Sequence, residues 1–199
     1  MMVPVSRKPV THATQCGAVL LAVLLSVVLV GACGSRTTGG GSAAPAAAAS
    51  EPAGAETPYE GACPSGENSR PLAKTRFALH AGLGLGAFHR YIYKPAREGK
   101  FRANADNRGR TLAKAAVAGL FTAHELKVAK GFAVANPTLC NAIQSITNNF
   151  TGLVDKLKNG SATEADVDAS QSSFDALRQQ ATQDGFGFNE KNVTVPGAD

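Results

Sequence analysis

Residues 136–160 read NPTLCNAIQSITNNFTGLVDKLKNG, and this stretch decides the class of fold. Its large apolar residues recur in steps of four and three, at Leu139, Ile143, Ile146, Phe150, Leu153 and Leu157. This spacing puts them on one face of a helix, and that face must pack against other helices. Asn136 can cap this helix, Pro137 suits its first position, and the Asn159-Gly160 pair can end it.

Three other segments carry helix signals. The first, 71–93, is expected to end before Pro95, because the proline ring opposes continuation of a helix. The second covers about 106–134, and the last, 161–185, opens with a Ser-x-x-Glu capping box. The sequence holds no strand pattern of comparable strength, so we predict an all-α fold in which four helices form a bundle.

The segment 71–93 contains a ridge of small residues, with Ala78, Gly82 and Gly86 four positions apart. Each glycine inside a helix costs roughly 1 kcal/mol relative to alanine, so a compensating contact is expected. We predict that another helix approaches this ridge closely. The string G-x-G-x-x-A at 82–87 also matches part of a dinucleotide-binding loop, but no alternating strands and helices follow it, which favours helix packing.

The N-terminus has the features of an export signal. Basic residues precede an apolar run over 17–30, which is too short for a stable membrane span. The run ends in Val30-Gly31-Ala32-Cys33, which resembles the lipobox of bacterial prolipoproteins. The resemblance implies diacylglyceryl transfer to Cys33, cleavage before it, and a chain held by fatty acyl groups such as palmitate at the outer face of the cell membrane.

These features divide the chain into four parts. Residues 1–32 are the predicted signal peptide, and 33–68 are the lipidated cysteine with a disordered linker rich in glycine, alanine, serine and proline. Residues 69–189 form the helical domain, and 190–199 are expected to be a flexible C-terminal tail. Random-coil scaling gives the tether at 34–58 a root-mean-square span of about 25–30 Å.

The cysteines predict a disulfide. Cys16 leaves with the signal peptide and Cys33 is lipidated, so Cys63 and Cys140 remain in an exported, oxidising setting. A bridge between them encloses 77 residues, and chain-entropy models assign it roughly 4–5 kcal/mol of stability. The alternative is a pair of unpaired buried thiols.

The charges are unevenly distributed. The net charge is +5, and residues 69–114 hold eleven arginines or lysines but two acids. The candidates for contact with an anionic lipid or cell-wall polymer interleave with aromatic residues: Arg90, Lys94, Arg97, Lys100 and Arg102. The alternative is that these bases face the acidic fourth helix across the bundle.

Metal binding and catalysis find little support. His80 and His89 are nine positions apart and point to opposite faces of one helix, and His124-Glu125 lacks the second histidine of a zinc protease motif. No nucleophile motif is found, so we expect no catalytic residue, metal or cofactor. A metalloprotein or enzyme that uses His80, His89 or His124 is the minor alternative.

From Leu72 onward the chain is similar to exported proteins of high-GC Gram-positive bacteria, a resemblance that implies no activity. We predict a lipid-anchored module of the bacterial cell envelope that binds an unknown protein partner or has a structural role. The alternative is a domain that itself lies on an anionic membrane or cell-wall polymer and uses the basic region 88–114 to do so. Nucleic acid is excluded as a partner because the protein is exported and has no groove-reading motif.

Overall fold

The computed structural model describes residues 56–65 and 71–199, and every regular element in these ranges is helical. The elements are α1 (Ala73–Phe88), a π-helical turn (His89–Tyr93), α2 (Lys94–Arg97), α3 (Arg108–Ala133), α4 (Pro137–Lys158) and α5 (Glu164–Gln183). The predicted all-α class is therefore confirmed for these residues. The predicted signal peptide, Cys33 and most of the linker lie outside the described residues. No helix in the described ranges is long and apolar enough to cross a membrane.

The long helices form a bundle around an aromatic centre. Helix α3 packs against α1 and α4, α4 packs against α5, and α5 contacts the π-helical turn. Phe88, Phe150 and Phe174 meet in the middle, with ring centroids 5.1–6.0 Å apart. All six residues of the predicted apolar stripe on α4 are buried, which confirms the periodicity argument.

The helix ends follow the predicted signals at α4 but not at α5. Asn136 caps α4 through its side-chain oxygen, which accepts the Leu139 N–H at 3.0 Å. The capping box of α5 is formed by Thr163 and Asp166, not by Ser161 and Glu164. The backbone N–H of Ser161 donates to the Lys156 carbonyl, so Ser161 belongs to the turn that ends α4. Helix α5 therefore begins two residues later, with Thr163 as its N-cap.

Pro95 does not stop the first helix, contrary to the prediction. The chain widens into the π-helical turn just before it, where the Lys94 N–H donates to the His89 carbonyl. A π-helical turn moves the upstream carbonyls away from the proline ring, and Pro95 lies in the first turn of α2. The helix therefore continues to Arg97.

The ridge of small residues on α1 does receive a close contact, but from extended chain and not from a helix. The segment 186–199, here called the C-terminal segment, crosses α1, and the Lys191 N–H donates to the Gly82 carbonyl at 2.9 Å. A Cβ atom on Gly86 would overlap the carbonyl of Lys191. Val195 and Ala198 are buried, so residues 190–199 are packed and do not form the expected flexible tail.

An irregular segment at 56–65, here called the strap, lies against the bundle. The Tyr59 N–H donates to the Lys127 carbonyl at 3.1 Å, and the Lys130 ammonium donates to the Gly61 carbonyl at 2.6 Å. Cys63 and Cys140 form the predicted disulfide and join the strap to α4. The ordered domain thus begins before residue 69, because these contacts fix a part of the chain that composition alone assigns to the linker.

Candidate functional site

Two buried ionisable side chains face each other between α1 and α3. His80 is 5% exposed and Glu125 is 7% exposed, and Nδ1 of His80 lies 2.7 Å from Oε2 of Glu125. The helices approach closely here because Gly84 has no side chain, and a Cβ atom there would lie 3.5 Å from Cβ of Glu125. The neighbouring Thr122 hydroxyl donates to the Gly84 carbonyl at 3.3 Å. The pair is therefore built into the main helix crossing.

The other imidazole nitrogen of His80 is buried and has no hydrogen-bond partner among the residues that the structure describes. The nearest recorded acid is Glu56 of the strap, whose Oε1 lies 3.8 Å from Nε2 of His80. Arg76 of α1 forms an ion pair with the same carboxylate, and the Phe132 ring stacks on the imidazole at 5.8 Å. We call His80, Glu125, Glu56 and Arg76 the His80 cluster. Buried polar atoms are nearly always paired, so the free Nε2 atom calls for an explanation.

The His80 cluster pairs a histidine with a carboxylate, and the described residues place neither a nucleophile nor a metal site beside it. A carboxylate that orients a histidine is the arrangement found beside nucleophiles and metal ions. In the described ranges, His80 makes no recorded hydrogen bond to a hydroxyl or thiol group. The same ranges hold no group of three or more histidine, cysteine, aspartate or glutamate side chains placed to bind a metal ion.

The other two histidines have separate surroundings. His89 contacts Glu190 through Nδ1 at 2.8 Å and Gln171 through Nε2 at 2.7 Å, which links the π-helical turn to α5 and the C-terminal segment. His124 is exposed on α3. Each of the three candidate metal ligands thus lies in its own environment.

The bases proposed to meet an anionic surface mostly pair with acids of the same chain. Ion pairs join Arg97 to Asp168 at 3.6 Å and Arg102 to Glu164 at 3.0 Å, both on α5. Lys100 pairs with Glu98 at 2.6 Å, which lowers the pKa of the Glu98 carboxyl through their hydrogen bond.

The remaining two candidates differ from each other. Arg90 donates to the Val193 carbonyl at 3.2 Å and lies 4.0 Å from the Asp199 carboxylate. Lys94 is exposed, and the structure records no ion pair for it with any described residue. The contacts of Arg97 and Arg102 with α5 favour the alternative in which the bases face the acidic last helix, whereas the contacts of Arg90 with the C-terminal segment were not predicted.

A cleft of about 520 Å³ opens where α5 begins, between the loops at 101–108 and 160–165. Arg108 borders it, but its guanidinium donates to the carbonyls of Phe101 and Gly160 at 2.9 and 2.7 Å. The Asp166 carboxyl beside the cleft caps α5, and its hydrogen bonds to Lys156 and Thr163 lower its pKa. The polar groups here are used within the fold, so this cleft has no built binding site.

Among the described residues, one helix face beyond the five candidate bases is exposed. The outer face of α3 carries the exposed residues Arg110 and His124, the half-buried Lys114, and two exposed aliphatic side chains, Val117 and Leu120. Val117 is 37% exposed and Leu120 is 50% exposed. No acidic residue occurs in the sequence from Arg108 to His124. We call this stripe the α3 outer face.

Sequence reasoning identified His80 but missed both of its acidic partners. His80 is the one polar residue in the run 78–88, and a polar residue in such a run predicts a buried partner. Glu125 lies 45 positions away and Glu56 lies in a segment whose composition indicates a linker. No local pattern could therefore have joined them.

Comparison of the chain with protein-family models, with curated proteins and with solved structures finds no match. Its function must therefore be argued from the contacts described above.

Proposed function

We propose that this protein is a lipoprotein of the bacterial cell envelope, held at the outer face of the membrane by acylated Cys33. Its helical domain is a four-helix binding or structural module without catalytic activity. The Cys63–Cys140 disulfide is the observation that carries the proposal. Disulfides persist in oxidising compartments outside the cytoplasm, which is where the predicted signal peptide would send the chain.

The attachment of the strap supports the same role. Beyond the disulfide, Lys127 pairs with Glu60 at 2.7 Å and the Lys130 ammonium lies 5.2 Å from the centre of the Tyr59 ring. Burial lowers the pKa of Lys130, because removal from water penalises its charged form. The strap is thus fixed to the bundle directly after the predicted tether. Such an attachment is expected for a domain that is held by its N-terminal end.

Lipidation can be tested in the natural bacterial host with a fatty-acid label. We expect the wild-type protein to incorporate the label and to be found in the membrane fraction. The Cys33→Ser variant should incorporate no label and should be absent from the membrane fraction. Cys16→Ser is the matched control, because Cys16 lies in the part that is cleaved away, and this variant should behave like the wild type. Labelling that survives Cys33→Ser, or a wild-type protein that is unlabelled and still carries residues 1–32, would contradict the proposal.

A second candidate function is direct contact of the domain with anionic lipid. The observation that favours it is the α3 outer face, where Leu120 and Val117 are exposed beside Arg110 and Lys114. Each base near an anionic bilayer contributes about 1 kcal/mol, so the contact alone is weak. A short flexible tether raises the local concentration to the order of millimolar, which makes a weak contact sufficient.

Co-sedimentation with vesicles tests this contact on a chain that carries Cys33→Ser and therefore has no lipid. We expect binding to vesicles rich in phosphatidylglycerol, weaker binding to phosphatidylcholine vesicles, and loss of binding as salt is raised. Leu120→Glu should reduce binding several-fold, whereas Leu79→Glu should not, because Leu79 is a similarly exposed leucine on α1. Equal binding to both vesicle types, or equal effects of the two substitutions, would reject the candidate.

A further inference from the structure

The free Nε2 atom of His80 lies where the strap meets the bundle. Glu56, the acid nearest to Nε2, is the first residue of the strap, and Cys63 fastens the other end to α4. The part of the strap around Glu56 is therefore held by noncovalent contacts, while its far end is covalently fixed. A change of charge at His80 acts on the end that can move.

The two protonation states of His80 make opposite contacts with Glu56. In the neutral state, a proton on Nδ1 is donated to Glu125, and the lone pair of Nε2 points toward a second carboxylate, with no hydrogen between them. In the charged state, Nε2 carries a hydrogen and can donate it to Oε1 of Glu56. The present separation of 3.8 Å must shorten by about 1 Å to form a charge-assisted hydrogen bond.

The imidazole of His80 has charged neighbours on three elements. Three groups face it, namely Arg76 from α1, Glu125 from α3 and Glu56 from the strap. Two carboxylates and one guanidinium leave a net charge of −1 when His80 is neutral, and the cluster becomes neutral when His80 binds a proton. Arg76 and Glu56 are partly exposed, so the specific effect of the proton is the hydrogen bond that Nε2 can then donate to Glu56.

We propose that His80 is a proton-binding site that clamps the strap to α1, so that acidification tightens the junction between tether and bundle. The proton comes from solvent, adds to Nε2 and returns to solvent when the pH rises. Histidine is the side chain that ordinarily changes charge between about pH 5 and 8, so the test compares pH values near the two ends of this range. The disulfide at Cys63 keeps the released strap attached, so the strap pivots and does not leave.

Amide hydrogen exchange at Tyr59 reports on the clamp, because the N–H of this strap residue donates to the Lys127 carbonyl of α3. With intrinsic exchange rates corrected for pH, we expect protection at pH 5.5 to exceed that at pH 8 by about tenfold, the factor from one gained charge-assisted hydrogen bond. Both pH values lie above the range in which carboxylates ordinarily titrate.

Three variants separate the clamp from general effects of pH. His80→Gln cannot gain a proton, and Glu56→Gln removes the charge that the proton attracts, so each should abolish the pH dependence at Tyr59. Glu56 is exposed, so its substitution is expected to preserve folding even where His80→Gln does not. His89→Gln should retain the dependence, because His89 pairs with Glu190 instead. Protection that is independent of pH in the wild type, or equally dependent in Glu56→Gln, would overturn the proposal.

Discussion

Removal of the Cys63–Cys140 disulfide should lower the free energy of unfolding by about 4 kcal/mol. The bridge joins residues 77 positions apart, so its loss frees a long loop in the unfolded chain and raises the entropy of that state. The double variant Cys63→Ala/Cys140→Ala should therefore unfold at a clearly lower denaturant concentration. The slope of the unfolding free energy against denaturant should rise, because the unlinked chain exposes more surface.

Reduction of the wild-type protein gives an independent measurement of how much the same disulfide contributes to the free energy of unfolding. A thiol reductant should shift the wild-type transition toward that of the double variant and should leave the double variant unchanged. The strap should also become accessible to proteases, because its other contacts are individually weak. A double variant that unfolds at the wild-type denaturant concentration would show that the bond does not stabilise the domain.

Replacement of Gly86 by leucine should cost about 3 kcal/mol, the upper part of the usual range for an overpacked site. The new side chain would occupy the space that the backbone of Lys191 fills, and the C-terminal segment would have to leave α1. Its departure would expose Val195 and Ala198, which are now buried. Denaturant unfolding measures the energy, and proteolysis from the C-terminus measures detachment of the segment.

Gly152 provides the matched control on α4, because a Cβ atom there would meet no atom of the described residues within 4 Å. Gly152→Leu should be neutral or should stabilise the protein by up to about 1 kcal/mol, since leucine is the better helix former. If Gly86→Leu and Gly152→Leu gave the same stability, the close packing of the C-terminal segment on α1 would be refuted.

Features that depend on local spacing were predictable from the sequence. The apolar stripe of α4 is a repeat within one helix, and its cap at Asn136 is set by the next three residues, so both follow from short-range rules. The disulfide followed from counting the cysteines that remain once the predicted signal peptide and lipidation site are set aside. By contrast, the passage of the helix through Pro95 depends on a widened turn that no single residue type specifies.

Features that depend on distant contacts were missed for a physical reason. The ridge at Gly82 and Gly86 correctly indicated that another part of the chain approaches closely. A glycine does not indicate whether that neighbour is a helix or an extended segment. The C-terminal segment is rich in polar residues and is held by a few buried side chains, so its composition resembles that of a free tail. The His80–Glu125 contact arises where two helices cross, which local sequence does not encode.

The position of the disulfide also sets how the domain would respond to mechanical force. Tension that enters from the N-terminal side reaches Cys63 and passes through the sulfur–sulfur bond straight into α4. The 77-residue loop, which contains α1 and α3, would then carry no load, and about 270 Å of contour length could not be drawn out. If the chain is anchored through Cys33 as proposed, the domain would therefore resist unfolding by tension on its N-terminal end.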